Sequence, residues 1–140
     1  MRSIRVVLVA LGLTMVALGC SSDSKPSTSS TSSGSTAPED VRASAADVAA
    51  GLNAIQATAV AMVGAGSDKT KLAALDAQIE PAWAKIEGTV KANNPDTYLT
   101  FEDNFAQLEK GSQDGDATKV KAASDAVATA VASYLATYPG

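Results

Sequence analysis

The sequence predicts an all-α fold, an antiparallel up-down-up-down four-helix bundle that follows a signal peptide and a disordered linker. Three observations predict it. From Glu39 onward, apolar residues recur every three or four positions, the spacing that gathers side chains on one side of a helix with about 3.6 residues per turn. Turn-forming residues cut this pattern into four runs, at Gly64-Ala65-Gly66, Ala92-Asn93-Asn94-Pro95 and Gly111 to Gly115. No stretch alternates β-branched and polar residues as a half-buried strand would.

Ahead of that pattern, residues 1–19 read as an address. Arg2 and Arg5 precede an apolar run, Val6 to Leu18, that is shorter than the roughly 20 residues a permanent membrane helix needs, so a secretory signal fits better. Ala17-Leu18-Gly19-Cys20 then sets a small residue before the single cysteine, with Ser21 and Ser22 after it. This order resembles the lipobox of bacterial lipoproteins. The resemblance implies that Cys20 is acylated and becomes the mature N-terminus, held on a membrane by its acyl chains. Residues 20–38 continue as SSDSKPSTSSTSSGSTAP after the cysteine, without one aliphatic residue larger than alanine. Such a stretch cannot bury enough apolar surface to offset its ordering entropy and is expected to be a disordered tether. As a random coil it would reach roughly 20–25 Å.

The bundle is expected over residues 39–140. Its first helix, from Glu39 to about Val63, carries Val41, Ala45, Val48, Leu52, Ile55, Ala59 and Met62 in alternating steps of four and three. Ser67 or Asp68 can cap a second helix from Lys69 to Ala92, with Leu75, Ile79, Trp83 or Ala82, Ile86 and Val90 inward and a bend at Pro81. Pro95 suits the first turn of a third helix, which runs to Lys110 with Tyr98, Phe101, Phe105 and Leu108 inward. Asp116 caps the fourth, whose stripe is Val120, Ser124, Val127, Val131, Tyr134 or Leu135, and Tyr138.

Composition removes several classes of function. Without histidine and with one cysteine, the chain lacks His-ligated zinc or haem, Cys-rich metal sites, and Ser-His-Asp or Cys-His catalysis. Its net charge of −4 becomes more negative once the two leader arginines are set aside, which argues against nucleic acid as a partner. No catalytic residue is expected, and the protein reads as a non-enzyme.

The remaining chemistry is carboxylate chemistry on the central hairpin. If the turn falls at Asn93 and Asn94, antiparallel pairing sets Glu87 opposite Glu102, Trp83 opposite Phe105 and Glu80 opposite Glu109, two acidic layers about 10 Å apart. Facing carboxylates persist if they splay into water, share a proton or bind a cation. One reading makes them solvated flank residues, with Lys91 pairing to Glu87 along the helix. The other makes Glu87, Glu102 and Asp103 oxygen ligands for a hard cation such as Fe(III), Ca or Mn, with Glu80 and Glu109 as a second layer. Trp83 and Tyr98 could stack a ligand, or belong to the core with Tyr134 and Tyr138. Asp114-Gly115-Asp116 has calcium-loop residue types without the ligand spacing.

Trp83, Ile86-Glu87-Gly88-Thr89-Val90-Lys91, Pro95-Asp96, Tyr98 and Phe101-Glu102-Asp103 together resemble the extracytoplasmic helical segment of bacterial high-affinity iron permeases. The resemblance covers some 60 residues from Leu72 onward. The acidic motifs of that family's membrane part are not in this sequence. It therefore implies a detached accessory module that captures or hands over iron, with Glu87 and Glu102 at the matching positions. The sequence leaves two functional expectations: a membrane-anchored extracytoplasmic lipoprotein acting as an accessory module in iron acquisition beside a membrane permease, or a structural or protein-interaction lipoprotein of the cell envelope with no metal role.

Overall fold

Residues 42–140 are described by a computed structural model, and within them the fold is all-α, with no strand. The leader 1–19, Cys20, the stretch 21–38 and the expected helical start at Glu39 lie outside the described residues. Helix α1 spans Ala45–Ala65, α2 Lys69–Asp76, α3 Ile79–Trp83, α4 Glu87–Asn93, α5 Pro95–Asp114 and α6 Ala117–Thr137. Helix α5 packs on α6, α6 on α1, α1 on α2 and α3, and α2 on α5, while α4 lies against α5.

Caps set most of the boundaries. Arg42 to Ser44 are not helical, and α1 begins only where the Ser44 hydroxyl accepts from the Asp47 N–H at 3.1 Å. Asp68, Asn94 and Asp116 cap α2, α5 and α6 in the same manner, each accepting backbone N–H groups two or three residues on. Pro95 occupies the first position of α5, where no N–H is needed.

The second arm is not the single bent helix expected over Lys69 to Ala92 but three short helices. Pro81 cannot donate a hydrogen bond, so the helix cannot continue through it from α2; the chain restarts at Ile79 with Pro81 in the new first turn. The joints tighten to shorter-range bonds, Gln78 N–H to Leu75 carbonyl at 3.0 Å and Ile86 N–H to Trp83 carbonyl at 2.9 Å. Segmentation changes what the arm can bury. Ile86, Glu87 and Gly88 are three consecutive buried residues, which one straight helix with a single inward face does not allow.

Helix α5 runs four residues past the expected end at Lys110. Gly111, expected in the turn, is buried within the helix, and the left-handed residue is Gly115 (φ 68°). There the Asp116 N–H bonds the Gly111 carbonyl at 3.0 Å and the Gly115 N–H bonds the Ser112 carbonyl at 3.1 Å, a Schellman closure. Gly111 serves packing instead. A Cβ there would stand 3.0 Å from both the backbone nitrogen and Cγ2 of Val120 on α6.

The core joins Val48, Leu52, Ile55, Ala59 and Met62 of α1 to Leu72, Ile79, Trp83, Ile86 and Val90 of the second arm, Tyr98, Phe101 and Leu108 of α5, and the Val120 to Tyr134 stripe of α6. Helix α1 is long and apolar enough to cross a membrane by length and composition alone. Its large apolar residues, however, are those turned into this core, apart from exposed Val60.

Gly111→Ala is expected to lower stability by about 1–2 kcal/mol, because the clash with the Val120 backbone outweighs the gain of roughly 1 kcal/mol in helix propensity. Urea unfolding followed by circular dichroism reads it as a lower midpoint at unchanged slope.

Candidate functional site

Trp83, the single tryptophan, ends α3 and is 0% exposed. Its indole nitrogen donates to Glu102 Oε1 on α5 at 2.7 Å, short as bonds to carboxylate oxygens tend to be. Around it the other rings are arranged in contact: Phe105 edge-on at 5.2 Å between centroids, Phe101 tilted at 5.3 Å and Tyr98 stacked at 5.9 Å. Phe101 continues the chain to Tyr134, and Tyr134 to Tyr138 at 4.8 Å. All six aromatic residues of the sequence thus form one continuous cluster across α3, α5 and the end of α6.

Tyr98 is 8% exposed and Lys91 Nζ lies 5.1 Å from its ring centre. With Trp83 enclosed and Tyr98 covered, the stacking surface suggested by the sequence is an interior one. The expected Trp83–Phe105 layer is in contact. A second link closes the far end of the cluster, where the Asn93 amide donates to the Tyr134 hydroxyl at 2.9 Å and the Tyr138 hydroxyl donates to the Asn93 carbonyl at 2.8 Å. Burial pushes the Tyr134 phenol above its ordinary pKa, while the Asn93 bond acts against it.

The five carboxylates singled out from the sequence are placed very differently. Glu87, the first residue of α4, is 7% exposed, a rare condition for glutamate. Glu102 is half-buried with one oxygen on Trp83, whereas Asp103, Glu80 and Glu109 are exposed. Glu109 accepts from the Gln113 amide at 2.9 Å. The carboxyl that feels its charge is Asp76, half-buried on α2 one turn before Glu80; burial first, and Glu109 second, push Asp76 above its ordinary pKa. Among the described residues no group of three or more Asp, Glu or Cys side chains comes together that could hold a metal ion. In the Asp114-Gly115-Asp116 turn, Lys119 bonds Asp114 at 2.9 Å and, with Lys110, holds its carboxyl below the ordinary value. That turn is a capped, ion-paired helix junction.

Sequence reasoning placed Asp76 on the flank that carries Glu80 and Glu87, Asn93 in a turn and Thr89 within the permease-like motif, but gave none of them, nor Arg42, a partner. Asn93 sits in a recognised turn and Asp76 on a recognised flank, so only their partners were hidden. The bonds of Arg42 and Thr89 had no signal, since they span 46 residues. Compared with family models, curated proteins and solved structures, the chain matches none.

Two outcomes test this geometry. Glu102→Leu, which leaves the enclosed indole N–H without an acceptor, should cost about 1–3 kcal/mol and shift Trp83 emission, whereas Glu102→Gln, which keeps an acceptor oxygen, should stay close to wild type. Asp76 has its folded pKa raised, so the stability it contributes is present below the ordinary carboxylate range and is lost as pH rises through the raised value. Asp76→Asn should therefore melt a few degrees higher than wild type at neutral pH, and the difference should close as the pH is taken down past that range, read by thermal melts at a series of pH values.

Proposed function

We propose that the chain is a lipid-anchored, extracytoplasmic helical module that serves an envelope partner by binding and is not an enzyme. The observation that carries this reading is the order of features in residues 1–38. A basic pair, a short apolar run, Ala17-Leu18-Gly19-Cys20 and a Ser/Thr-rich stretch stand in front of a domain that turns its apolar residues into its own core. In this reading residues 1–19 are removed, Cys20 carries the acyl chains, and residues 21–38 are the stalk. The domain has no histidine to act as a base and its enclosed groups serve packing. An up-down-up-down bundle is the arrangement we propose for it, with the segmented α2–α4 arm as one wall. The packing of α1 on α2, α2 on α5, α5 on α6 and α6 on α1 supports it.

The iron reading has a narrower basis. Trp83, Glu87, Tyr98 and Glu102 are the positions shared with the permease segment, and of these Glu87 and Tyr98 are buried while Trp83 and Glu102 are bonded to each other. In favour of a metal role stands the buried carboxylate Glu87; against it stands the lack of any third carboxylate close by among the described residues. A role as protein-interaction module therefore ranks ahead of iron capture.

Cys20→Ser decides the anchor. Wild-type protein produced in a bacterial host should partition into the detergent phase and carry acyl mass on its N-terminal peptide, and the variant should lack that acyl mass and keep its leader, uncleaved before position 20. An aqueous wild type would remove the anchor. Calorimetric titration with Fe(III), Mn(II) and Ca(II) addresses the metal: heat that disappears in Glu87→Gln would establish iron or another hard cation as the ligand, and no heat at millimolar metal leaves the interaction module.

A further inference from the structure

The chain enters α1 through Arg42 and Ala43, and both are gripped by α4. Arg42 Nη1 donates to the Gly88 carbonyl at 2.9 Å. The Ala43 N–H donates to Thr89 Oγ1 at 2.6 Å, and the same hydroxyl donates to the Ala43 carbonyl at 3.3 Å. Ala43 precedes the cap Ser44, so its backbone groups have no helical partners, and a hydroxyl is one of few side chains able to accept from one and donate to the other. The residue whose carbonyl accepts from Arg42, Gly88, is buried although its neighbours Ile86 and Glu87 are buried too. Ala43 further borders an open groove of about 400 Å³ between α1 and the second arm, lined with Gly51, Ala54, Ala82 and Ile86. A Cβ at Gly51 would come within 3.0 Å of Ile86 Cδ1, so α1 and Ile86 meet closely beneath it.

We infer that residues 42–44 form a latch on α4. Seated, the latch holds the first turn of α4 and closes one end of the groove. Released, it frees the first turn of α4, while Asn93 holds the last, and opens a path past Ile86 to the enclosed Trp83. The grip on α4 consists of three hydrogen bonds, with no ion pair to Arg42 among the described residues, so it can open while the rest of the core stays shut. Whatever engages the stretch ahead of Arg42 acts directly on the element carrying Glu87. The latch rests on these contacts and does not depend on the lipid anchor.

Hydrogen exchange of the full chain, resolved by helix and combined with acrylamide quenching of Trp83, tests the latch. Thr89→Val keeps the shape and nearly the helix propensity but removes the hydroxyl. It should raise exchange in α4 by roughly five- to tenfold and increase Trp83 quenching, with α5 and α6 unchanged, and Thr89→Ser should restore both. Unchanged α4 exchange in Thr89→Val would overturn the latch. So would a parallel rise in α4, α5 and α6, since the hydroxyl would then support the whole fold and not a separable strap. In the Cys20→Ser background the comparison should read the same, which keeps failure of the latch apart from failure of the anchor.

Discussion

An indole nitrogen can only donate, and Trp83 has its whole side chain out of water, so the fold must bring an acceptor to one fixed point. Glu102 supplies it across the gap between α3 and α5. Much of the remaining arrangement depends on this meeting. It sets how the second arm lies along the third, brings Phe101 and Phe105 against the indole, and places Tyr98 over it. Truncating a residue packed like Trp83 costs on the order of 3–5 kcal/mol, a large part of the stability a domain of this size has. The carboxylate that tempts a metal assignment therefore has a structural task already.

Breaking the second arm into α2, α3 and α4 sacrifices helical hydrogen bonds at two joints and gains freedom of direction. A continuous helix through Lys69 to Ala92 would keep one face inward; the joints at Ala77-Gln78 and Ala84 to Ile86 re-aim the chain so that Trp83, Ile86, Glu87, Gly88 and Val90 are all covered. Helices α1, α5 and α6 are uninterrupted by comparison, with close approaches at two glycines. Gly111 lets α5 approach the Val120 backbone, Gly51 lets α1 approach Ile86, and alanine fills positions on α1 and α6 where larger side chains would hold the helices apart.

The stripes on α1, α5 and α6 were legible in the sequence because each helix has one buried face, and burial of one face writes itself as spacing. Val48, Leu52, Ile55, Ala59 and Met62 are the clearest case. Caps were legible where a short polar side chain stands just before the apolar pattern, as Asp68 and Asp116 do. The second arm was not, because its spacing survives the breaks: residues 75, 79, 83, 86 and 90 keep helical intervals although they fall on three helices and a joint between two of them. Gly111 misled for a related reason, since glycine marks both a turn and a close approach, and only the position of Val120 separates the two. At the candidate site the pairing of Trp83 with Phe105 followed from the hairpin turn. The partners of Glu102 and Glu109, the Trp83 indole and the Gln113 amide, did not follow from it.

These placements also bound what the domain can do. Asp68 and Asp116 are caps, Asp114 is ion-paired, Glu109 is held by Gln113, and Glu102 by Trp83. These carboxylates of the described residues thus have structural partners. Glu87 stands apart as a buried carboxylate on a short helix, and that helix is held from outside by the very residues through which the N-terminal stretch enters the fold. A closed helical core can respond to a partner only by moving an element whose release leaves the other contacts intact. Helix α1 cannot move this way, since it carries a full stripe of the core, and α5 and α6 are locked to each other at Gly111. Helix α4 contributes Val90 and little else of its own to the aliphatic core, and its first turn is fastened by a hydroxyl and a guanidinium. The place where mechanical or binding input meets the least resistance is therefore the same place where the unusual carboxylate lies.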